Sequence, residues 1–241
     1  MTYTLHFPEP LHCFVRLPKP METQATILQM KAWSERIQSK LEEQIEGEVL
    51  MEPRGLVIVL EKPLAPAEID KVLKKCWKKK TLTSKVSFRR WTFPICWDTS
   101  ANSDLMQFYN GDRAAVQHYQ EAFVAHPMVA SFYGFLPGFV YLGGLSKDLQ
   151  LPRHPQPRLK VPEGSVAVGE RYVGIYPQES PGGWQLLGRT PIKLFDRERK
   201  DPFLLCPGDL IRWESIAEST LENGLHPAKT SPSYDYGEIY L

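Results

Sequence analysis

Arg153 and Arg158 flank the four residues His154-Pro155-Gln156-Pro157. Two guanidiniums on a proline-stiffened loop suit a site that grips carboxylate or phosphate oxygens through bidentate hydrogen bonds. They also suit two solvated arginines, and the loop by itself leaves both meanings open. Arg189, in Leu187-Gly188-Arg189-Thr190-Pro191, is open in the same way, as an anion ligand or as a side chain satisfying loop carbonyls. Ser180-Pro181-Gly182-Gly183-Trp184 sets a hydroxyl beside a glycine-rich turn. Such a turn can aim main-chain N–H groups at an anion or a developing oxyanion, or it can merely reverse a strand. Gly138, ending Phe135-Leu136-Pro137-Gly138, either bends a strand or brings backbone to a ligand. Tyr141 and Tyr176 can offer hydroxyls to a small polar substrate, or pack with their tips satisfied. Of the six histidines, His126 is the best placed for acid–base work. It ends a helical pattern, and a helix C-terminus favours the charged imidazole. A purely structural histidine fits there too.

Other chemistries find no support in the chain. Neither GxxxxGK[ST] nor GxGxxG occurs, so no phosphate-cradling loop is recognised. No GxSxG elbow is present. Cys13, Cys76, Cys96 and Cys206 are scattered, without a CxxC or a Cys/His pair at ligand spacing, and no metal site is expected. Scattered cysteines fit a reduced, cytoplasmic protein. With 29 Lys+Arg against 28 Asp+Glu, there is no electrostatic case for nucleic acid or an anionic membrane as partner. The basic run from Lys71 to Lys80 reads either as an anionic-partner patch or as the solvated face of an amphipathic helix. No apolar run approaches the ~18 residues of a membrane span. The start, MTYTLHFPEP, lacks the basic and apolar regions of a secretory signal.

The elements that must position these residues divide into two styles. In the first part, Thr2 to Phe7 alternates like a strand. Ile27, Met30, Trp33, Ile37, Leu41 and Ile45 recur at three- and four-residue steps, which predicts a helix from Thr23 to Ile45 stopped near Gly47. Gly55 opens a short β-branched run, and Pro66 suits the first residue of a second helix whose buried stripe is Ile69, Val72, Leu73, Cys76 and Trp77. Val86 to Trp97 reads as a strand with Trp91, Phe93, Ile95 and Trp97 on one face. This alternation predicts an α+β layer of ferredoxin-like type over residues 1–98. Residues 99–128 form a helical connection. Asp112 is its cap, and Ala115, Val116, Tyr119, Phe123 and Val124 share a face. From Val129 to Glu214 helical periodicity is lost. Ten of the sixteen glycines and eight of the twenty-one prolines lie between Gly134 and Ile192, interleaved with aromatic and β-branched residues. That mixture predicts a turn-rich β-barrel, placed in a unit of residues 129–241 whose tail from Gly224 has no periodic pattern.

Three segments carry a family resemblance: GFLPGFVYLGGL (Gly134 to Leu145), PRHPQPRLKVPEGSVAV (Pro152 to Val168) and GIYPQESPGGWQLLGRTPIKLFD (Gly174 to Asp196), with a weaker one at LLCPGDLIRW (Leu204 to Trp213). Over roughly the last half of the chain the sequence resembles the allophanate hydrolase subunit 1, or carboxyltransferase subdomain C/D, family. The resemblance implies a ferredoxin-like layer followed by a cyclophilin-like barrel. It implies a component of an ATP-dependent 5-oxoprolinase, opening the lactam of 5-oxoproline to glutamate, inactive alone. ATP would then be bound together with a partner of the allophanate hydrolase subunit 2 type on another chain. A third protein, the A-type component of 5-oxoprolinase, is expected in the complex. Two further activities occur in the family: inhibition of a sensor histidine kinase, and a carboxyltransferase half-site for urea or a related amide. Under the first reading Arg153, Arg158 and His126 are the catalytic candidates. Gly138, Tyr141, Tyr176, Ser180, Gly182, Gly183 and Arg189 are the binding candidates. The chain departs from the family at Tyr172-Val173, where members commonly carry Gln-Thr, and at Trp97 to Leu105, which replaces a glycine-containing acidic segment.

Overall fold

A computed structural model describes residues 2–42, 47–77, 85–219 and 234–240. They fall into two compact units that divide between Ser87 and Phe88, with the terminal residues from Glu238 counted with the first.

The first unit is a four-stranded antiparallel sheet with two helices. Strands β1 (Thr4–Glu9) and β2 (His12–Arg16) form one hairpin, and β3 (Gly47–Glu52) and β4 (Gly55–Leu60) form another. The order β1-β2-β4-β3 sets the two hairpins side by side, joined through the antiparallel β2–β4 pairing. Helix α1 (Gln24–Glu42) buries the expected stripe, Ile27, Met30, Trp33, Ile37 and Leu41. The expected last member, Ile45, lies outside the described residues. Thr23 caps α1 by accepting the Thr26 N–H at 3.2 Å. Helix α2 (Pro66–Cys76) starts on proline, and Glu68 reaches back to the Ala65 N–H at 3.1 Å. Its buried residues Ile69, Leu73 and Cys76 pack toward α1, where the Trp33 indole N–H donates to the Leu73 carbonyl at 3.3 Å. Lys71, Lys74 and Lys75 of the basic run are exposed on α2, and Lys78 to Lys80 lie outside the described residues.

The second unit is the barrel. The expected strand over Val86 to Trp97 runs Lys85–Trp97 (β5), and it belongs to the barrel sheet. The other barrel strands are β6 (Met128–Tyr133), β7 (Val140–Gly143), β9 (Ser165–Gly169), β10 (Tyr172–Ile175), β12 (Gln185–Arg189) and β13 (Leu210–Ser215). Their order is β12-β9-β10-β7-β6-β13-β5, and β12 pairs with β5 to close the ring. At that seam a Cβ on Gly188 would overlap the Cys96 carbonyl oxygen, so only glycine lets the two strands meet. Strand β13 runs parallel to β5. A small ribbon of β8 (Arg158–Val161) and β11 (Ser180–Gly182) stands beside the barrel, and β14 (Tyr234–Tyr240) flanks β5. The tail from Gly224 thus contributes a strand, one that no periodicity announced.

Alternating β5 residues Trp91, Phe93 and Ile95 point into the core with Val166, Val168, Val173 and Ile175. Helix α3 (Asp104–Phe108) is capped by Ser103, and α4 (Arg113–Ala125) by Asp112, which accepts the Ala114 and Ala115 N–H groups at 2.9 and 3.1 Å. Val116, Tyr119 and Phe123 of α4 are buried, with the Phe123 ring 5.7 Å from that of Trp213.

Candidate functional site

Three pieces of irregular chain meet beside the barrel: the turn after β6, the loop from Pro152 to Pro157, and the β11–β12 turn. Each is tied down by bonds to main-chain carbonyls. The Gly134 N–H donates to the Phe139 carbonyl at 3.2 Å, the His154 N–H to the Gly183 carbonyl at 2.7 Å, and the Gln185 side-chain amide to the Pro152 carbonyl at 2.9 Å. In the β8–β11 ribbon Gly182 stands opposite Arg158. A Cβ on Gly182 would overlap the Tyr176 hydroxyl oxygen, so glycine brings this backbone onto the phenol.

Together they enclose a cavity of about 340 Å³ lined by Phe135, Phe139, Tyr141, Arg153, His154, Pro157, Tyr176, Pro181, Gly182, Gly183 and Trp184. Its floor is aromatic. The Phe139 ring meets Tyr176 at 5.3 Å and Trp184 at 5.6 Å, both edge to face, and Tyr141 meets Trp184 at 5.5 Å. Such contacts hold rings rigidly and leave a flat apolar surface for a small ligand. Burial pushes the Tyr141 and Tyr176 phenols above their usual range, and Arg153 opposes it at both. Each phenol therefore remains an O–H donor at neutral pH.

The two arginines of the loop behave differently. The Arg153 guanidinium lies 5.9 Å from the Trp184 ring centroid, 3.8 Å from Glu170, and its side chain is 55% exposed. It is a solvated charge at the cavity rim with donors to spare. The Arg158 guanidinium points inward instead. Nη2 donates to Asp104 Oδ1 in a short contact, and Nη1 to the Trp184 carbonyl at 3.3 Å. Asp104, at the start of α3, is only 5% exposed. Its carboxylate also accepts the Leu186 N–H at 2.6 Å and lies 3.1 Å from His154 Nε2. A buried carboxylate needs such company, because desolvating an unpaired charge is expensive.

The cavity thus brings together Arg153, Tyr141, Tyr176, Gly182 and Gly183 of the sequence candidates. Gly138 sits one residue from Phe139 in a left-handed turn at φ 83°. Ser180 is buried in the ribbon, its hydroxyl 3.4 Å from the Pro181 carbonyl. Arg189 lines a separate cavity of about 520 Å³ with Asp98, Ser165 and Glu218, and donates to the Glu163 carbonyl at 3.0 Å. His126 ends α4, its Nε2 2.7 Å from the Gly144 carbonyl, and lines neither cavity. Sequence reasoning missed His154 and Asp104. His154 stood inside the loop already singled out. Asp104 carried no signal beyond a capping serine before it. Among the described residues no cluster of three or more His, Cys, Asp or Glu could hold a metal ion. None of the helices described is long and apolar enough to cross a membrane.

Known proteins resemble this chain. The chain is 53% identical over 85 residues to the B-type subunit of 5-oxoprolinase from Escherichia coli O157:H7, and 35% identical over 125 residues to its namesake from Bacillus subtilis. The first match covers 35% of this chain and 39% of that relative, the second 52% of each. The chain therefore spans about half or less of the curated relatives it matches. The crystal structure of the K. lactis urea amidolyase superposes with a TM-score of 0.73 at 18% identity, over 99% of this chain and 16% of that one, a likeness of fold. Residues 11–205 match the family model of the carboxyltransferase domain, subdomain C and D, and the chain belongs to that family.

Proposed function

We propose that this chain is one component of an ATP-dependent 5-oxoprolinase, contributing the aromatic cavity and its rim arginine to the binding of 5-oxoproline. The observation that carries the reading is Arg153 poised over Trp184 at the mouth of that cavity. A five-membered lactam acid offers a flat ring for the aromatic floor and a carboxylate for the guanidinium. The cavity, at about 340 Å³, is at the small end of the ~300–1,000 Å³ range of ligand sites. The names of the 53% and 35% identical relatives support the same reading.

A lactam amide resists hydrolysis, and phosphorylating its oxygen converts it to a better leaving group. The cavity has room for the small acid and not for a nucleotide as well, and no phosphate-loop motif occurs in the chain. ATP is accordingly assigned to a site completed by another chain. Two partners fit this division, one of the allophanate hydrolase subunit 2 type and one of the A type of 5-oxoprolinase.

The test is reconstitution. The chain is co-expressed with both partner types, and phosphate release is measured with and without 5-oxoproline. The expected result is 5-oxoproline-dependent release by the assembly and none by the single chain. An assembled complex that hydrolyses ATP indifferently to 5-oxoproline defeats the reading. The urea amidolyase fold likeness favours one alternative, a carboxyltransferase half-site, which the same complex would reveal by turning over a biotin-carried carboxyl group.

A further inference from the structure

His154 has two ring nitrogens, and the structure distinguishes them. Nε2 lies 3.1 Å from Asp104 Oδ2. Asp104 also receives Arg158 and the Leu186 N–H, so its carboxylate is an ionised acceptor with no proton to give. The hydrogen in the Asp104–His154 contact must therefore sit on Nε2. In the neutral imidazole that leaves Nδ1 as a bare lone pair. His154 lines the cavity, and its side chain is 23% exposed. The main chain of His154 is held as firmly as its ring, through the Gly183 carbonyl.

We propose that Asp104 locks His154 in the Nε2–H tautomer, so that Nδ1 is the cavity's acceptor for the N–H of a small amide ligand and its proton-exchanging group. Tyr141 and Tyr176 are phenol donors and Arg153 is donor-only, so among these polar side chains Nδ1 is the strong acceptor suited to an amide N–H. The proton-transfer half rests on the lactam-cleaving reading. Phosphorylation of the lactam oxygen by ATP releases ADP and the N–H proton and leaves a C=N bond. When water then adds to that carbon, an O–H bond breaks, an O–C bond forms, the C=N π pair moves to nitrogen, and the proton reaches nitrogen through Nδ1. When the C–N bond breaks, nitrogen leaves with the electron pair and collects the hydroxyl proton through Nδ1, and the acyl phosphate left behind is cleaved by a second water to carboxylate and phosphate. The imidazole returns to its starting form, and Nε2–H stays on Asp104 throughout. Asp104 is a positioning residue; His154 is the catalytic one.

Two measurements test this. Long-range 1H–15N NMR on the single folded chain reads the tautomer directly, with His154→Gln identifying the signal. A protonated Nε2 and a bare Nδ1 are expected, and a neutral imidazole protonated at Nδ1 overturns the proposal. In the reconstituted complex, His154→Gln keeps a side chain able to reach Asp104 but cannot exchange a proton. Its kcat should fall about 100-fold or more with KM changed little, and one limb of the kcat–pH profile should disappear. Wild-type kcat and profile in a folded His154→Gln complex also overturn it. A wild-type complex indifferent to 5-oxoproline sinks the lactam reading and the proton-transfer half with it. The tautomer measurement then still decides whether Asp104 fixes Nδ1 as an acceptor.

Discussion

Arg158 Nη2 donates to Asp104 Oδ1 and so joins the β8–β11 ribbon to helix α3 across 54 residues of chain. The carboxylate it meets is nearly removed from water, whereas the guanidinium is 31% exposed. The bond does two things. It neutralises a buried charge, and it fixes the floor on which His154 and Trp184 stand.

Removing the cation should therefore show first as lost stability. Arg158→Ala leaves Asp104 buried with only neutral donors, and breaking such a pair costs about 3 kcal/mol, the low end for buried pairs because the arginine is partly in water. Arg158→Lys keeps the charge without the fork and should lose less. Urea titration of both, with unchanged m, checks this. The Asp104→Asn/Arg158→Ala double variant should recover part of the loss, since no buried charge is then stranded.

Arg153 should behave in the opposite way. Its pairing with Glu170 is loose and solvated, so Arg153→Ala should shift stability by no more than about 0.5 kcal/mol. Losing a charge-assisted contact to a substrate carboxylate removes about 1.5–3 kcal/mol, hence roughly ten- to a hundred-fold in kcat/KM of the assembled complex, mostly through KM. Wild-type KM in a well-folded Arg153→Ala complex would remove this arginine from the site.

How much of this was legible in the sequence depends on the range of the contact. The α1 stripe, the Asp112 cap and the inward parity of Trp91, Phe93 and Ile95 are local patterns of period 3.6 or 2, and they read directly. The loop of Arg153 and the turn of Gly182 and Gly183 were visible because proline and glycine punctuate them. What was not legible is which loop faces which. Asp104 is 50 residues from His154 and 54 from Arg158. No periodicity links residues so far apart, and the short helix that starts within Trp97 to Leu105 announces nothing of its buried acid. For the same reason two arginines that look equivalent in the motif have unlike roles in space.

The barrel seam supplies a second stability prediction. Gly188 faces Trp97 where β12 meets β5, and its missing side chain lets the Cys96 carbonyl approach. Gly188→Ala forces two backbones apart, and neither can swing aside as a side chain would. Overpacking of this kind costs about 3 kcal/mol, the upper end of the usual range. Gly183→Ala, whose Cβ would meet Pro157 atoms at an ordinary 3.6 Å, should be far milder. Comparing the two denaturation midpoints checks the assignment of the seam. Equal midpoints would mean that β12 and β5 do not close the barrel at Gly188.

Phe135 ties conformational strain to ligand binding. It is a non-glycine residue at φ 67°, and it is 61% exposed at the cavity rim, its ring meeting Phe139 edge to face at 5.4 Å. A bulky side chain in the left-handed region costs about 1–2 kcal/mol, and little burial offsets it here. Phe135→Gly removes both the ring and the strain, so the variant should match or exceed wild-type stability, by up to about 1 kcal/mol. Phe135→Ala keeps the unfavourable backbone and should be the less stable of the two. If the ring is held there to cover a bound ligand, both variants should raise KM in the reconstituted complex several-fold while kcat stays nearly unchanged. Thermal denaturation of the single chain, beside KM of the complex, separates the two effects. A Phe135→Gly chain that is more stable and binds substrate as well as wild type would show that the ring serves something other than this cavity.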